Sequence, residues 1–179
     1  WQGGAEVADV GEIDFSTLQY SDEMTNANTK YGTTKLRYLD GVDSNEIKQA
    51  IMDNGAVTAS YATTSNCFNN ANTTYFMPQS YDGDYIGHTI SVVGWSDNFS
   101  KYKFTNSTGI LPKNNGAWLI RNSWGKNNSM GGYFWLSYED KYIFGAKYSP
   151  NFTIDEVTEI SDDMTLLQNE RYGATYSFN

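Results

Sequence analysis

Two short segments constrain this chain more than any other part of it: Ile86-Gly87-His88-Thr89-Ile90-Ser91-Val92-Val93-Gly94-Trp95 and Ala117-Trp118-Leu119-Ile120-Arg121-Asn122-Ser123-Trp124-Gly125. Each is an apolar run of β character with one polar residue at its end. The first holds His88, the only histidine among 179 residues, and the second ends on Asn122 with Trp124 two residues further on. An imidazole that is to take a proton from a thiol or hydroxyl works best when its second nitrogen is held by a fixed acceptor, and an Asn carbonyl can be that acceptor. A His opening one strand and an Asn closing its neighbour meet at the same rim of an antiparallel sheet, whatever the length of chain between them. Trp124 stands where an indole would shield that pair from water. The two segments therefore read as the base and orienter of a nucleophilic site. The nucleophile is not beside them: the single cysteine, Cys67, lies in Ser65-Asn66-Cys67-Phe68-Asn69-Asn70, with neither a helix N-terminus nor a cation nearby in sequence to activate a thiol. Cys67 reads as a bystander.

Composition excludes several alternatives. With 39% apolar and 16% aromatic residues the chain has the means to build a core. A net charge of -9, with only 12 Lys and Arg scattered along it, leaves no basic patch for a phosphate backbone, so nucleic acid is not an expected partner. No run reaches the roughly 18 to 20 apolar residues that cross a bilayer. One Cys and one His cannot make a zinc site of about four ligands, so neither a metal nor another cofactor is expected, and a lone Cys forms no internal disulfide. The abundance of Asn, Thr, Ser, Tyr and Gly in short β-patterned runs resembles an exported microbial surface protein. Asn-x-Ser/Thr triplets at Asn72, Asn98, Asn106, Asn127 and Asn151 permit glycosylation without requiring it.

Along the chain, residues 1–42 read as a loop-rich lead-in with one strand at 35–39. At Asp43 the pattern changes. Asp43 with Glu46 three residues later forms a capping-box-like start, Ile47, Ala50 and Ile51 share one helical face, and Gly55 suits the stop. Strands are expected at 56–61, 88–95, 116–121, 132–138 and 142–148, with a solvent-facing loop over 96–115 and a short turn over 126–131. Residues 43–148 would form one subdomain. From 149 the chain becomes acidic and less patterned, and 149–179 reads as a connector to an absent region.

The His88–Gly94 run, followed by Asn122-Ser123-Trp124-Gly125 and Gly132-Tyr133-Phe134-Trp135-Leu136, resembles the papain-like cysteine peptidases, and the helix and strand at 43–61 fall where that family has them. The resemblance spans roughly residues 35–148. It implies an α+β fold in which this chain is the mainly antiparallel β-barrel half with one short helix, the N-terminal helical half being missing. It also implies that His88 is general base and acid, that Asn122 orients it and Trp124 covers the pair, and that Gly87 and Ala59 line the substrate side. No Gln-x-x-x-x-x-Cys-Trp segment is present, so the nucleophile and the oxyanion-hole Gln would belong to a Cys-bearing N-terminal half, and Trp1-Gln2-Gly3-Gly4 would lie just beyond it.

Thr89 is bulkier than the small residue usual after the His, and Lys126-Asn127-Asn128-Ser129-Met130-Gly131 lacks the second Trp-Gly pair of better-known members. The strand running into Ser137-Tyr138-Glu139-Asp140 and the long loop after Trp95 resemble the prokaryotic cell-surface branch, which implies an extracellular or cell-surface location. The expected function is peptide-bond hydrolysis through an acyl-thioester on a peptide or protein substrate, with these 179 residues inert without the Cys-bearing half. The alternatives are a non-catalytic surface adhesion or binding module on the same frame, and an intact enzyme using Cys67.

Overall fold

The computed structural model describes residues 3–4, 31–39, 43–145 and 151–159. Two units are distinguished, Arg37–Thr153 and a second made of Trp1–Leu36 with Ile154–Asn179. In the second, β1 (Gly3–Gly4) pairs antiparallel with β2 (Tyr31–Leu39), and Lys35 lies 3.8 Å from Asp155. The rest of the lead-in, residues 146–150 and the tail beyond 159 lie outside the described residues.

In the larger unit α1 spans Ser44–Asn54, between the two signals legible in the sequence. Asp43 Oδ1 accepts the N–H groups of Asn45 at 2.8 Å and Glu46 at 3.4 Å, satisfying two donors that the first helical turn cannot. Gly55 closes the helix at φ 82, a left-handed conformation that costs a glycine little. The buried stripe is Ile47, Ala50 and Ile51.

The sheet of this unit runs β9-β3-β6-β7-β8-β5-β4. Its strands are β3 (Val57–Thr63), β4 (Phe68–Asn69), β5 (Thr74–Tyr75), β6 (Ile86–Ser96), β7 (Ala117–Arg121), β8 (Tyr133–Ser137) and the first residues of β9 (Asn151–Glu159). All pairings are antiparallel except that of β5 with β8. Among the described residues this is the one-helix, mainly antiparallel architecture expected from the sequence. Val57, Ala59 and Tyr61 alternate onto one face of β3, and their cross-strand partners Val92, Ile90 and His88 share it. Ile120 and Phe134 extend that face across β7 and β8, and the core closes over it with Ile47, Ala50 and Ile51 from the helix.

A bulge between Val92 and Gly94 decides what the far end of β6 contributes. Val92 opposes Ile120, yet Trp95 opposes Trp118; one extra residue has been absorbed, and it turns Trp95 to the inner face. Trp95 packs there against the core.

Three sequence expectations change. Residues 142–145 form turns rather than a strand, because Asp140 Oδ1 accepts the N–H groups of Tyr142 at 3.0 Å and Ile143 at 3.2 Å and bends the chain, after which Phe144 takes φ 57 and is buried. Residues 146–148 of that expected strand are outside the described set. The stretch read as an acidic, unpatterned connector holds β9, anchored by the pairing of Phe152 with Thr58 and by Thr153 Oγ1 donating to the Ala56 carbonyl at 3.0 Å. The 96–115 loop is not merely solvent-facing. It contains a 3-10 turn, Lys101–Phe104, that buries Phe104 against Phe76, Phe99, Ala117 and Trp135, giving the outer face of the sheet a second apolar cluster. Two of the five Asn-x-Ser/Thr asparagines are committed inward: Asn106 Nδ2 donates to the carbonyls of Cys67 and Phe76, and Asn151 Nδ2 to that of Phe144.

Asp140 is buried, and its other oxygen, Oδ2, accepts the Met77 N–H at 2.9 Å, tying the exit of β8 to the segment after β5. Burial pushes its pKa up to about 7, against the pull of its three N–H donors. An acid whose pKa is higher folded than unfolded makes the folded state hold more protons between the two values. Stability therefore falls as pH rises from about 4 towards about 7 through this group, and Asp140→Asn is expected to flatten the wild-type decline between pH 5 and 8 in urea midpoints. Asp43→Ala is expected to lower the unfolding free energy by about 1 kcal/mol with an unchanged urea m-value.

Candidate active site

The site sits at one end of the β3–β6–β7 ribbon. Register places Tyr61 directly across from His88, and Ser91 across from Arg121, so that Asn122, the first residue beyond β7, arrives at the rim where β6 begins. His88 Nε2 lies 2.9 Å from Asn122 Oδ1. The same oxygen accepts the Ser123 N–H at 2.8 Å. An amide nitrogen could accept neither bond, so the Ser123 N–H fixes which way the Asn122 amide faces and makes Nε2 the donor to it; in a neutral ring the other nitrogen is the acceptor. Nδ1 then carries the free lone pair.

Aromatic rings hold the imidazole on two sides. The Trp124 ring stacks on it with centroids 4.7 Å apart and planes at 27°, and Tyr61 meets it edge-on at 5.9 Å and 63°. Trp124 remains 58% exposed, so one of its faces covers the imidazole while the other meets solvent. Tyr61 is buried, and burial raises its phenol pKa well above the ordinary value, leaving it neutral at every physiological pH. Sequence reading missed Tyr61; the alternation on the 56–61 strand places it on the inner face, but only the register with β6 puts it opposite the histidine.

His88, Asn122 and Trp124 are thus brought together as expected from their motifs. Gly87 is exposed beside His88. Ala59 requires correction: it is 0% exposed, packed in the core between Val57 and Tyr61 and opposite Ile90, and it offers no surface to a substrate. Its strand is the right one, but the alternation turns that position inward.

Cys67 is placed apart from this cluster. It closes a 3-10 turn, Ser65–Cys67, is 0% exposed and has no hydrogen bond to His88. Burial pushes its thiol up to about 11, a Tyr75 hydrogen bond opposing and the Asp140 charge adding to the shift. Among the described residues no three His, Cys, Asp or Glu side chains converge on a point that would hold a metal ion.

The model of the papain family of cysteine proteases matches residues 9–152, and the chain belongs to that family. Among solved structures, the cysteine protease and lectin-like domains of Cwp84, a surface layer associated protein of Clostridium difficile, superimpose with a TM-score of 0.74 at 33% identity, over 90% of this chain and 34% of that one. A clostridial Cwp84 cysteine-to-alanine variant after propeptide cleavage gives the same TM-score and identity, over 90% of this chain and 39% of its own. The chain therefore spans little more than a third of the solved proteins it resembles. No curated protein sequence matches it.

The elevated thiol pKa carries a direct expectation. Two pK units above the 9.0 of an ordinary thiol leave about a hundredfold less thiolate at neutral pH, so Cys67 should react with a disulfide reagent at least about a hundredfold more slowly in the folded chain than in denaturant.

Proposed function

We propose that this chain is the His- and Asn-bearing part of a cysteine peptidase that hydrolyses peptide bonds through an acyl-thioester, its nucleophilic Cys supplied by a Cys-bearing N-terminal half of the same fold. The observation that carries the reading is the double hydrogen bond to Asn122 Oδ1, because it fixes the imidazole tautomer and leaves Nδ1 available as a base.

In this mechanism His88 Nδ1 takes the thiol proton and the sulfur attacks the scissile carbonyl carbon, forming a tetrahedral oxyanion. The C–N bond breaks as His88 returns the proton to the departing amine, leaving the acyl group on sulfur. Water, deprotonated by the same nitrogen, then attacks the thioester, releasing the acid and restoring the thiol. Asn122 holds the ring plane throughout, and its oxygen lies close to the positive charge of the transient imidazolium. Trp124 limits water around the His–Asn bond, where an excluded solvent strengthens the electrostatic interaction. Gly87, with no side chain next to His88, lets a peptide backbone approach, and exposed Thr89 narrows the other side.

The substrate is a peptide or protein, and the surface-layer association of the similar clostridial protein supports an extracellular or cell-surface location for this one. No helix among the described residues is long and apolar enough to cross a membrane. The burial of Cys67 and its raised thiol pKa support a nucleophile from outside these residues.

The test is mapping of the native parent protein after treatment with a thiol-alkylating probe. A labelled cysteine outside residues 1–179, with labelling slowed roughly a hundredfold or more by His88→Ala, is the expected result. Absence of any selectively labelled cysteine would overturn the peptidase reading and leave a surface binding module on the peptidase frame; selective labelling of Cys67 would relocate the nucleophile. Asn122→Ala should slow peptide hydrolysis by the same protein at least tenfold while leaving its thermal midpoint nearly unchanged, since Asn122 lies at the rim and not in the core.

A further inference from the structure

The turn that carries Trp124 lacks a second Trp-Gly pair, and a different set of contacts closes it. Asn122 N–H donates to the Gly132 carbonyl at 3.0 Å, joining the two ends of the loop. Gly132, at φ 95, brings its Cα so near the Gly125 carbonyl that a Cβ would lie 2.6 Å from that oxygen, so the two ends touch where only glycine fits. Inside the loop Asn128 Oδ1 accepts the N–H groups of Met130 at 3.1 Å and Gly132 at 2.7 Å, and its Nδ2 donates to the Tyr133 carbonyl at 2.6 Å. These contacts make the loop a unit and tie its base to β8 through Tyr133, but none of them holds the tip at Ser129.

Thr73 does. It is 2% exposed, stands immediately before β5, and its carbonyl accepts the Trp135 N–H of β8 at 3.0 Å, so its backbone belongs to the sheet. Its hydroxyl is hydrogen-bonded to the hydroxyl of Ser129, at the tip of the Trp124 loop. Thr73 also has φ 51, a left-handed conformation that a β-branched residue adopts only when its surroundings impose it. Glycine or asparagine would meet that backbone demand at lower cost, yet neither would place a hydroxyl there.

We propose that Thr73 is a positioning residue for the His88–Asn122–Trp124 site, acting through Ser129 to hold the loop so that Trp124 stays stacked on His88. The inference rests on the functional reading of that site. Thr73 touches no reacting group; it acts through the loop, and its strained backbone fixes where the hydroxyl points.

Because His88 is the only imidazole in the chain, its ring signals are unambiguous in nuclear magnetic resonance. Two readouts follow from the geometry: the Nε2–H resonance that reports the bond to Asn122, and the ring-current shift of the His88 carbon-bound protons under Trp124. Thr73→Ser keeps the hydroxyl and is expected to preserve both. Thr73→Val removes it at nearly constant shape, and Ser129→Ala removes its partner at an exposed position where folding is not at stake. Each is expected to diminish the ring-current shift and to speed Nε2–H exchange about tenfold, the scale set by loss of one hydrogen bond. Unchanged shifts and exchange in Ser129→Ala and Thr73→Val, whatever their melting points, would overturn the proposal and leave Thr73 a structural residue. A wild-type spectrum without the Nε2–H tautomer would instead overturn the reading of the site itself, and this inference with it.

Discussion

Strand β6 is hydrogen-bonded on both sides, to β3 and to β7, and the positions of His88, Tyr61 and Asn122 follow from those two registers. Pairing with β3 puts Tyr61 opposite His88 and so gives the imidazole a buried wall; pairing with β7 carries Asn122 to the same rim. A slip of one residue in either ladder would turn His88 to the other face or move Asn122 out of reach, since side chains alternate with a period of two. The bulge after Val92 confines its effect to the distal half of β6, where it turns Trp95 inward without disturbing the register that serves His88.

Around this ribbon several buried polar groups find partners within the protein. Tyr75 donates its hydroxyl to the Ala62 carbonyl at 2.8 Å, Asp140 collects three backbone N–H groups, and Asn106 bridges the carbonyls of Cys67 and Phe76. Such contacts stitch irregular segments to the sheet where no ladder reaches them, and a buried group left unpaired there would cost more than the bond contributes. They also set the surroundings of the cysteine. Cys67 lies in the same low-dielectric layer as Tyr75 and near the Asp140 charge, surroundings that disfavour a thiolate. His88, by contrast, stands half-exposed at the rim.

Local signals were legible in the sequence wherever a residue's own chemistry decides the structure. Asp43 and Gly55 marked both ends of α1, and the strands containing His88, Ile120 and Phe134 followed from apolar runs between turn residues. Readings failed where a side chain competes with the ladder or a partner distant in sequence decides. Residues 142–145 have strand composition but are bent by a carboxylate two or three positions earlier, a competition between side chain and ladder that β propensity does not register. Asn151–Glu159 is polar enough to resemble a linker, yet Phe152 and Thr153 find β3 and the Ala56 carbonyl. Phe104 is one aromatic in a polar loop until the outer face of β7 and β8 offers it a place.

The sequence by itself determined the chemical identity of the site: one histidine, one Asn-Ser-Trp-Gly turn, and a cysteine without activating neighbours, which together with the apolar runs around them define a papain-family frame. Their meaning is local, because residue type and spacing within a strand fix which groups stand at its end. Only the tertiary structure decided that Nε2 and not Nδ1 meets Asn122, that Tyr61 borders the histidine while Ala59 is buried in the core, and that Thr73 reaches the Trp124 loop. Each depends on the register of strands or turns separated by tens of residues, and that register is settled by the packing of the whole sheet.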